Sequence, residues 1–313
     1  MMTSAAPLHL RLPATSANLG PGFDALGLAM ALYLTIDASA APAFQIDATG
    51  RNAALCGRVE RNLILSTYSS ILADADRSVT PLHLRLQNEI PLGMGCGSSA
   101  AALLAGVLLA NHFGGLGWSR QQILEEACRR EGHPDNVAAC WLGGMTASAM
   151  GGNSVITSTC GNHLNWRLML ALPPASLSTS KARAMLPPTY TRADAVTNVQ
   201  NTALLVAAFA LGQPELLHAA MVDRIHQPYR QEACPLLPLL LPLASESGIY
   251  GVALSGAGPS ILLITDSSAP AAPILDAIRR MASAPDLEVL QTTIAAGASA
   301  RWNDDNLVNV VTI

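Results

Sequence analysis

A run of glycines near residue 95 is the stretch of this sequence best suited to chemistry. Residues 91–101 read PLGMGCGSSAA, so Gly93, Gly95 and Gly97 alternate with larger residues just before Ser98. Glycine lets the backbone take positive φ values, which can turn several N–H groups toward one point. A helix that follows would add its own unpaired N–H groups and the positive end of its dipole. The segment therefore predicts a binding site for an anion such as phosphate.

Two familiar phosphate-binding motifs do not fit this loop. A P-loop needs a lysine before its serine or threonine, but Gly97 directly precedes Ser98 and the one lysine of the chain is Lys181. The dinucleotide fingerprint G-x-G-x-x-G needs a third glycine, and Ser98 or Ala100 stands in that place. The structural alternative is a glycine-rich turn in which Ser98 caps a buried helix.

Charge and cysteine content exclude several other classes of protein. The 313 residues include 18 Lys and Arg against 22 Asp and Glu, without a basic run, which argues against a nucleic-acid-binding protein. The six cysteines form no C-x-x-C pair, so neither a zinc site nor a disulfide framework is indicated, and a reducing compartment fits better. The N-terminus lacks a secretory signal pattern, and no apolar run reaches the ~18 residues of a membrane span. We expect a cytoplasmic protein without a membrane or nucleic-acid partner.

The segments that must position the glycine loop read as a strand before it and a helix after it. Alternating leucines predict strands at residues 8–12 and 82–87, and an apolar run predicts a buried helix over 98–112. Ser119 and Gln122 have the spacing of a capping box at the start of the next helix. Helices and strands follow one another without regular alternation, which favours an α+β fold.

The chain length and a pair of prolines suggest two domains. Alternation broken near residue 41 predicts a hairpin over residues 31–48, and short alternating stretches over 145–172 are interpreted as the last strands of the first domain. Pro173-Pro174 is the expected boundary. We therefore assign residues 1–173 to an N-terminal domain and residues 174–313 to a C-terminal domain.

Three motifs occur in the order found in a known enzyme family. Residues 18–24 read NLGPGFD, the glycine loop follows at 93–101, and residues 255–260 read SGAGPS. Together they resemble the three motifs of the GHMP small-molecule kinases. Several motifs in one order are far more specific than a single motif. Further segments of the chain extend the match.

Those further segments resemble one branch of the family. Residues 131–136 read EGHPDN, residues 183–187 read RAMLP and residues 223–230 read DRIHQPYR. They are similar to the members that phosphorylate the side-chain hydroxyl of an amino acid. The resemblance implies a two-domain GHMP kinase fold, with an N-terminal domain like ribosomal protein S5 domain 2 and a ferredoxin-like C-terminal domain. It also implies ATP and Mg²⁺ in the cleft between the domains and a homodimeric assembly.

The family pattern also implies which residues hold the nucleotide and the metal ion. The Ser98 or Ser99 hydroxyl would reach Mg²⁺, and the glutamate ten residues before the Asp-Asn pair is Glu125. Glu126 and Glu131 are neighbours that could replace Glu125, and a solvated helix carboxylate is the alternative for Glu125 itself. The ATP-binding residues that the resemblance implies are Pro91, Leu92, Gly93, Met94, Gly95, Cys96, Gly97, Ser98, Ser99 and Ala100.

A zwitterionic acceptor needs a cation for its carboxylate and oxygen atoms for its ammonium group. Arg183 and Arg230 match the carboxylate-binding arginines of the family, and a guanidinium can grip a carboxylate with two parallel hydrogen bonds. For Asp135, the alternative to a role at the acceptor site is capping of the helix that follows. For Asn18 and Asp24, the alternative is turn formation. The other implied acceptor-site residues are Asn18, Asp24, Asp135, Asn136 and Gly256.

Asn136, Asp135 and Arg183 are the implied catalytic residues. Related kinases have an aspartate base where this chain has the amide of Asn136, so direct attack by the hydroxyl is favoured over general-base catalysis. His133 and His226 are interpreted as structural, since neither has a neighbouring carboxylate that reads as a triad. Rival functions are phosphorylation of another hydroxy amino acid or an amino alcohol, a dehydrogenase, which the glycine spacing disfavours, and a non-catalytic binding protein.

Met94 and Cys96 depart from the family pattern, which usually has a basic or polar residue and a leucine there. A thiol close to a helix N-terminus would have a lowered pKa, which predicts a reactive Cys96 that bound ATP protects. The alternative is that Cys96 is a small apolar residue that points into the core.

Overall fold

The computed structural model describes residues 5–152, 154–301 and 307–308. Its strands are β1 (Leu8–Asn18), β2 (Gly22–Ala40), β3 (Gln45–Gly50), β4 (Leu82–Asn88), β5 (Met145–Gly151), β6 (Ser154–Cys160), β7 (Trp166–Leu172), β8 (Ile249–Leu254), β9 (Ile261–Asp266), β10 (Glu288–Thr293), β11 (Ser299–Arg301) and β12 (Leu307–Val308). Its α-helices are α1 (Ala53–Cys56), α2 (Leu63–Asp74), α3 (Ser98–Phe113), α4 (Arg120–Glu131), α5 (Asp135–Leu142), α6 (Thr179–Ala184), α7 (Arg192–Leu211), α8 (Leu217–Ala220), α9 (Gln227–Arg230), α10 (Leu236–Leu240) and α11 (Ala271–Met281). Short 3-10 turns lie at Pro214–Leu216 and Leu241–Ser245.

The first sheet carries the glycine loop at the end of one of its strands. Its order is β12-β11-β1-β2-β4-β3, and β5 and β6 extend it from β2. Helix α3 packs against α2, α4 and α5, and α5 packs on β1 and β2. Leu10 and Leu12 face this helical layer and are fully buried, whereas Arg11 on the other face of β1 is exposed. The alternation of leucines therefore places the core on one face of the sheet.

The second sheet is ferredoxin-like. Its order is β10-β7-β9-β8 and all of its described pairs are antiparallel. Numbered within this sheet, the order is fourth, first, third and second, with helices after the first and third strands, which is the β-α-β-β-α-β pattern. The α+β class and the two-domain arrangement predicted from the resemblance are confirmed.

Two predicted features of the strands are wrong. Strand β3 does not form a hairpin with β2, because β4 lies between them and pairs in parallel with β3. Strand β7 belongs to the second sheet, and β11 returns to pair with β1 of the first sheet. By sheet membership, β7 belongs with the C-terminal unit although it precedes the expected boundary at residue 173, and β11 and β12 belong to the N-terminal sheet. Both errors concern pairings that the local sequence pattern does not contain.

The helix predictions near the glycine loop are confirmed. Helix α3 begins at Ser98 with Gly97 as its N-cap, and the α4 capping box forms between Ser119 and Gln122. Such a box satisfies two N–H groups that the helix end would leave unpaired, a contribution of about 1 kcal/mol. Among the described residues, no helix is both long and apolar enough to cross a bilayer.

Candidate active site

The glycine loop adopts a backbone that other residues would strain. Gly93, Gly95 and Gly97 have φ values of 70°, 73° and 69°, in the left-handed region. A Cβ atom on Gly95 would overlap the carbonyl oxygen of Ser255, and one on Gly97 would overlap the hydroxyl of Thr15. Glycine is therefore required here for its conformation and for the close approach of two other segments.

Hydrogen bonds from three distant segments fix the loop. The backbone N–H of Thr15 donates to Cys96 O at 3.0 Å, and Leu177 N donates to Gly93 O at 3.2 Å. The Ser255 hydroxyl donates to Gly95 O at 2.8 Å. The scaffold thus uses the carbonyl oxygens of the loop, while the first N–H groups of α3 have no partner within the helix. This arrangement suits an anion at the start of α3.

A cavity of 230 Å³ lies beside the loop and brings together most of the predicted site residues. Pro91, Leu92, Met94 and Glu125 are not among its described lining residues. The predicted residues that line it are Asn18, Asp24, Gly93, Gly95, Cys96, Gly97, Ser98, Ser99, Ala100, Asp135, Asn136, Arg183, Arg230 and Gly256. The lining also includes Glu131, which the sequence analysis named as a possible replacement for Glu125, and Phe23, His133, Ser178 and Thr179, which it did not place there.

A second cavity of 530 Å³ meets the first at Ser98 and Ser99. Its walls are mainly apolar and come from β2, α2, β4 and the segment before the glycine loop. Leu34, Ile64 and Leu92 are among its lining residues. Pro91 and Met94, by contrast, line a third cavity on the other side of the loop.

Asp135 lies at the start of α5 and organises its neighbours. Its side chain is 2% exposed. Asp135 Oδ1 lies 2.5 Å from His133 Nδ1 and accepts from the Asn136 backbone N–H at 2.7 Å and from Asn136 Nδ2 at 3.3 Å. Burial lowers the pKa of His133, but the Asp135 hydrogen bond and the charges of Asp135, Glu131 and Asp24 outweigh it, so the net pKa is raised. The histidine and aspartate therefore act as one polar unit rather than as a free base.

The two arginines predicted for the acceptor carboxylate have different surroundings. Arg183 forms a bidentate ion pair with Asp24, with nitrogen–oxygen distances of 2.6 and 3.0 Å. This pair raises the pKa of Arg183. Arg230 is 1% exposed and forms no ion pair within the described residues. Arg230 is thus the cation of the cavity that lacks an anionic partner, and burial lowers its pKa, as does the charge of Arg183.

Arg230 is held by neutral acceptors. Its Nε donates to Ala182 O at 3.2 Å, and its NH1 group donates to His226 Nδ1 at 3.1 Å. His226 Nε2 donates to Gly20 O at 2.8 Å, since a carbonyl oxygen can only accept. Burial lowers the pKa of His226, which fits the neutral ring that this arrangement requires. The histidine is structural, as expected, and orients the guanidinium.

Asn18 connects the first and last motifs. Its Nδ2 donates to Gly256 O at 2.9 Å, and its Oδ1 accepts from Asp24 N at 3.1 Å. Asn18 and Asp24 have φ values of 69° and 55°, which are typical of tight turns. Both residues line the cavity, and the hydrogen bonds of their side chains are made to other residues of the chain.

The structure brings Glu131, and not Glu125, to the cavity. Glu131 is the last residue of α4, and Gly132 follows with φ 88°, which turns the chain into the cleft. Burial raises the pKa of Glu131. The Glu125 carboxylate instead accepts from Gln121 on the same helix at 2.9 Å. Glu125 was selected by counting ten residues back from the Asp-Asn pair, and this count does not reveal where the helix ends.

The surroundings of Cys96 do not favour a reactive thiol. Its side chain is 1% exposed and belongs to the hydrophobic core. Burial raises its pKa to about 12, despite its position near a helix N-terminus. The alternative, a small apolar residue that points into the core, is confirmed.

Asp24, His133 and Asp135 offer ligand atoms that lie within 4.8 Å of one another. Each of these side chains already has a protein partner. Asp24 pairs with Arg183, and His133 and Asp135 are hydrogen-bonded to each other. A hard cation such as Mg²⁺ prefers oxygen ligands, which Glu131 and the Ser98 hydroxyl offer at the edge of the same cavity.

Comparisons with known proteins agree with this geometry. The family model for the N-terminal domain of the GHMP kinases matches residues 62–144, and the model for their C-terminal domain matches residues 205–284. The chain is thus a member of the GHMP kinases.

Similar individual proteins narrow this class. The homoserine kinase of Solibacter usitatus is 47% identical over 264 residues, 84% of this chain and 86% of that protein. The homoserine kinase of Desulfitobacterium hafniense is 43% identical over 83% of this chain and 88% of that protein. The crystal structure of homoserine kinase from Cytophaga hutchinsonii superimposes with a TM-score of 0.79 at 25% identity, covering 96% of this chain and 99% of that one. The chain belongs to the homoserine kinase family.

Proposed function

We propose that this protein transfers the γ-phosphoryl group of ATP to the side-chain hydroxyl of L-homoserine, which yields O-phospho-L-homoserine for threonine synthesis. The observation that carries this proposal is the buried guanidinium of Arg230, which has no ionic partner in the described part of the chain and lies in the cavity that the glycine loop also lines. The cavity therefore offers a site for a carboxylate beside a site for phosphate.

The glycine loop and the start of α3 would bind the phosphates of ATP. The loop has positive φ values and its carbonyl oxygens are used by the scaffold, which favours its N–H groups as the donors to phosphate. The apolar cavity of 530 Å³ meets this cradle at Ser98 and Ser99, and its size and walls fit an adenine ring.

Glu131 and the Ser98 hydroxyl would hold Mg²⁺. Both line the cavity, and both offer the oxygen atoms that Mg²⁺ prefers. When bound, this ion neutralises charge on the phosphates. Glu131 is half-buried and its pKa is raised by burial, so a cation at this position would favour its ionised form.

The acceptor would lie between Arg230 and the Asp135–Asn136 pair. Arg230 would bind its carboxylate, and the carboxylates of Asp24 and Asp135 would attract its ammonium group. Asn136 has an amide where a base would stand, so the chain positions the hydroxyl for direct attack and does not remove its proton through a side-chain base. Positioning and charge neutralisation are the main needs of phosphoryl transfer.

An acceptor panel tests this proposal. We expect Mg²⁺-dependent release of ADP with L-homoserine at a rate at least 100-fold above the rates with L-threonine, mevalonate or buffer. Faster turnover of a different hydroxy amino acid or an amino alcohol would assign the chain to another acceptor, and equal rates with buffer would contradict a kinase. A homodimer and a cytoplasmic location stay predictions, which light scattering and cell fractionation would test.

A further inference from the structure

We infer that Thr15 is a positioning residue that fixes the direction of the Asn136 amide, so that Asn136 presents an N–H group to the transferred phosphoryl group. This inference rests on the proposed kinase function. It concerns a residue of β1 that does not line the cavity and that the resemblance to the kinase family did not single out.

Two contacts determine the orientation of the Asn136 amide. Asp135 Oδ1 is a carboxylate oxygen that accepts from the Asn136 backbone N–H at 2.7 Å. Because such an oxygen accepts, the atom of the Asn136 side-chain amide that lies 3.3 Å from it is the donor, Nδ2. The other amide atom, Oδ1, then lies 2.7 Å from Thr15 Oγ1. An amide oxygen can only accept, so the Thr15 hydroxyl donates to it.

This orientation limits what Asn136 can do. Its amide oxygen is occupied by the Thr15 hydroxyl and is poorly placed to accept the proton of an acceptor hydroxyl. Asn136 Nδ2 carries two hydrogen atoms, and one of them is donated to Asp135 Oδ1. Because Asn136 lines the cavity, the second can be donated to a group bound there. A donor aimed at a group that gains negative charge stabilises the transition state.

Thr15 also connects Asn136 to the glycine loop. Its backbone N–H donates to Cys96 O at 3.0 Å, and its hydroxyl fills the space that the missing side chain of Gly97 leaves. Thr15 is fully buried, so no solvent molecule replaces this hydroxyl when it is removed. One residue therefore fixes the distance between the phosphate-binding backbone and the amide.

Two substitutions at this position separate the hydroxyl from the rest of the side chain. Thr15→Val keeps the shape and the backbone N–H but removes the donor, whereas Thr15→Ser keeps the donor. Thr146→Val is a matched control, because Thr146 is equally buried, lies on β5, and its hydroxyl donates to Gly27 O at 3.4 Å. We expect Thr15→Val to lower kcat by about 10- to 100-fold, with both KM values within about threefold of the original. Thr15→Ser and Thr146→Val should stay within about threefold of the unmodified enzyme in kcat.

A double variant tests whether Thr15 acts through Asn136. In an Asn136→Ala background, adding Thr15→Val should change kcat by less than about twofold, since the group that it orients is gone. The same loss in both backgrounds, or a rise in the ATP KM without a fall in kcat, would overturn the inference and indicate a role in the loop alone.

The result does not depend on which acceptor is correct. If the panel identifies another acceptor, the proposed substrate is wrong. The ratio of the kcat values of Thr15→Val and Thr15→Ser with that acceptor still tests the role of Thr15. If no acceptor is turned over, crystal structures of the two variants decide. The inference requires the Asn136 amide to rotate in Thr15→Val and to keep its direction in Thr15→Ser, and an unchanged amide in Thr15→Val would contradict it.

Discussion

In the proposed function, the two sides of the cleft, a phosphate side and an acceptor side, would bind by different means. The phosphate side is backbone, a short loop of consecutive residues that hydrogen bonds to β1, Ser255 and Leu177 hold in place. The acceptor side is built from charged side chains that come from segments more than 100 residues apart, such as Asp24 and Arg183. A phosphate group suits the first arrangement because any backbone N–H can donate to it. An amino acid needs the second because its two charges must be recognised in opposite directions.

This difference predicts how substitutions will act. On the phosphate side, a new side chain should alter the fold and nucleotide binding together, since the loop has no spare space. On the acceptor side, single side chains can be exchanged with effects on one kinetic constant. The four predictions that follow are ordered from the largest expected effect to the smallest.

Glu131 tests the border between the two sides. We expect Glu131→Gln to lower kcat by about 100- to 1,000-fold, since the charge stabilisation by a metal ion is worth several kcal/mol. Glu125→Gln, on the same helix but outside the cavity, is the matched control and should stay within about twofold. Steady-state assays over a range of Mg²⁺ concentrations measure both. A large loss of kcat in Glu125→Gln with a small loss in Glu131→Gln would instead assign Glu125 as the Mg²⁺ ligand.

Arg230 tests the acceptor side. Arg230→Leu should raise the acceptor KM by about 100-fold, or roughly 3 kcal/mol, with little change in the ATP KM, because the carboxylate loses a charged partner. Arg224→Leu is the control, since Arg224 is exposed in the segment just before α9 and does not line the cavity. If the ATP KM of Arg230→Leu rises instead, Arg230 belongs to the nucleotide site and the comparison fails.

Gly95 tests the phosphate side. Gly95→Ala should lower the free energy of unfolding by about 2–3 kcal/mol and weaken ATP binding as well, because it adds a clash with Ser255 O to the strain of a positive φ. Gly115→Ala has a similar φ of 60° with open space around it, so it should cost only about 1 kcal/mol. Urea unfolding and nucleotide titration measure the two effects. Equal losses in both variants would show that backbone strain alone matters.

Cys96 should be the least sensitive probe. With its pKa raised from 9.0 to about 12, its thiolate fraction at pH 8 falls by about 1,000-fold, and alkylation should be correspondingly slow. We expect iodoacetamide to modify the partly exposed Cys56 and Cys160 first, and Cys96 to remain unmodified with or without Mg·ATP. Rapid labelling of Cys96 that ATP prevents would mean that the loop opens in solution.

The sequence predicts the phosphate side well because its determinants are local. Glycine spacing, the strand before it and the helix that starts at Ser98 lie within about thirty residues and follow from backbone sterics. The sequence also predicts most of the side chains that line the cavity beside the loop, but only through motifs compared with a family.

The contacts among those acceptor residues are not predictable from local patterns. The Asp24–Arg183 pair, the Thr15–Asn136 hydrogen bond and the membership of β7 in the second sheet all depend on how distant segments pack. Glu131 was named only as a possible replacement for Glu125 for a related reason: the left-handed Gly132 redirects the end of α4, and a residue count along the chain does not contain this turn. The pairing of β3 with β4 is equally non-local.

The return of β11 to β1 has a consequence for synthesis on the ribosome. Strand β1 is translated long before the strand that covers its outer edge, Ser299–Arg301. Until then, that part of β1 presents unpaired N–H and C=O groups, which can pair with another nascent chain. The ferredoxin-like unit is translated entirely within this interval. We therefore expect ribosome-bound chains that stop before residue 299 to be captured by chaperones much more than chains released at full length.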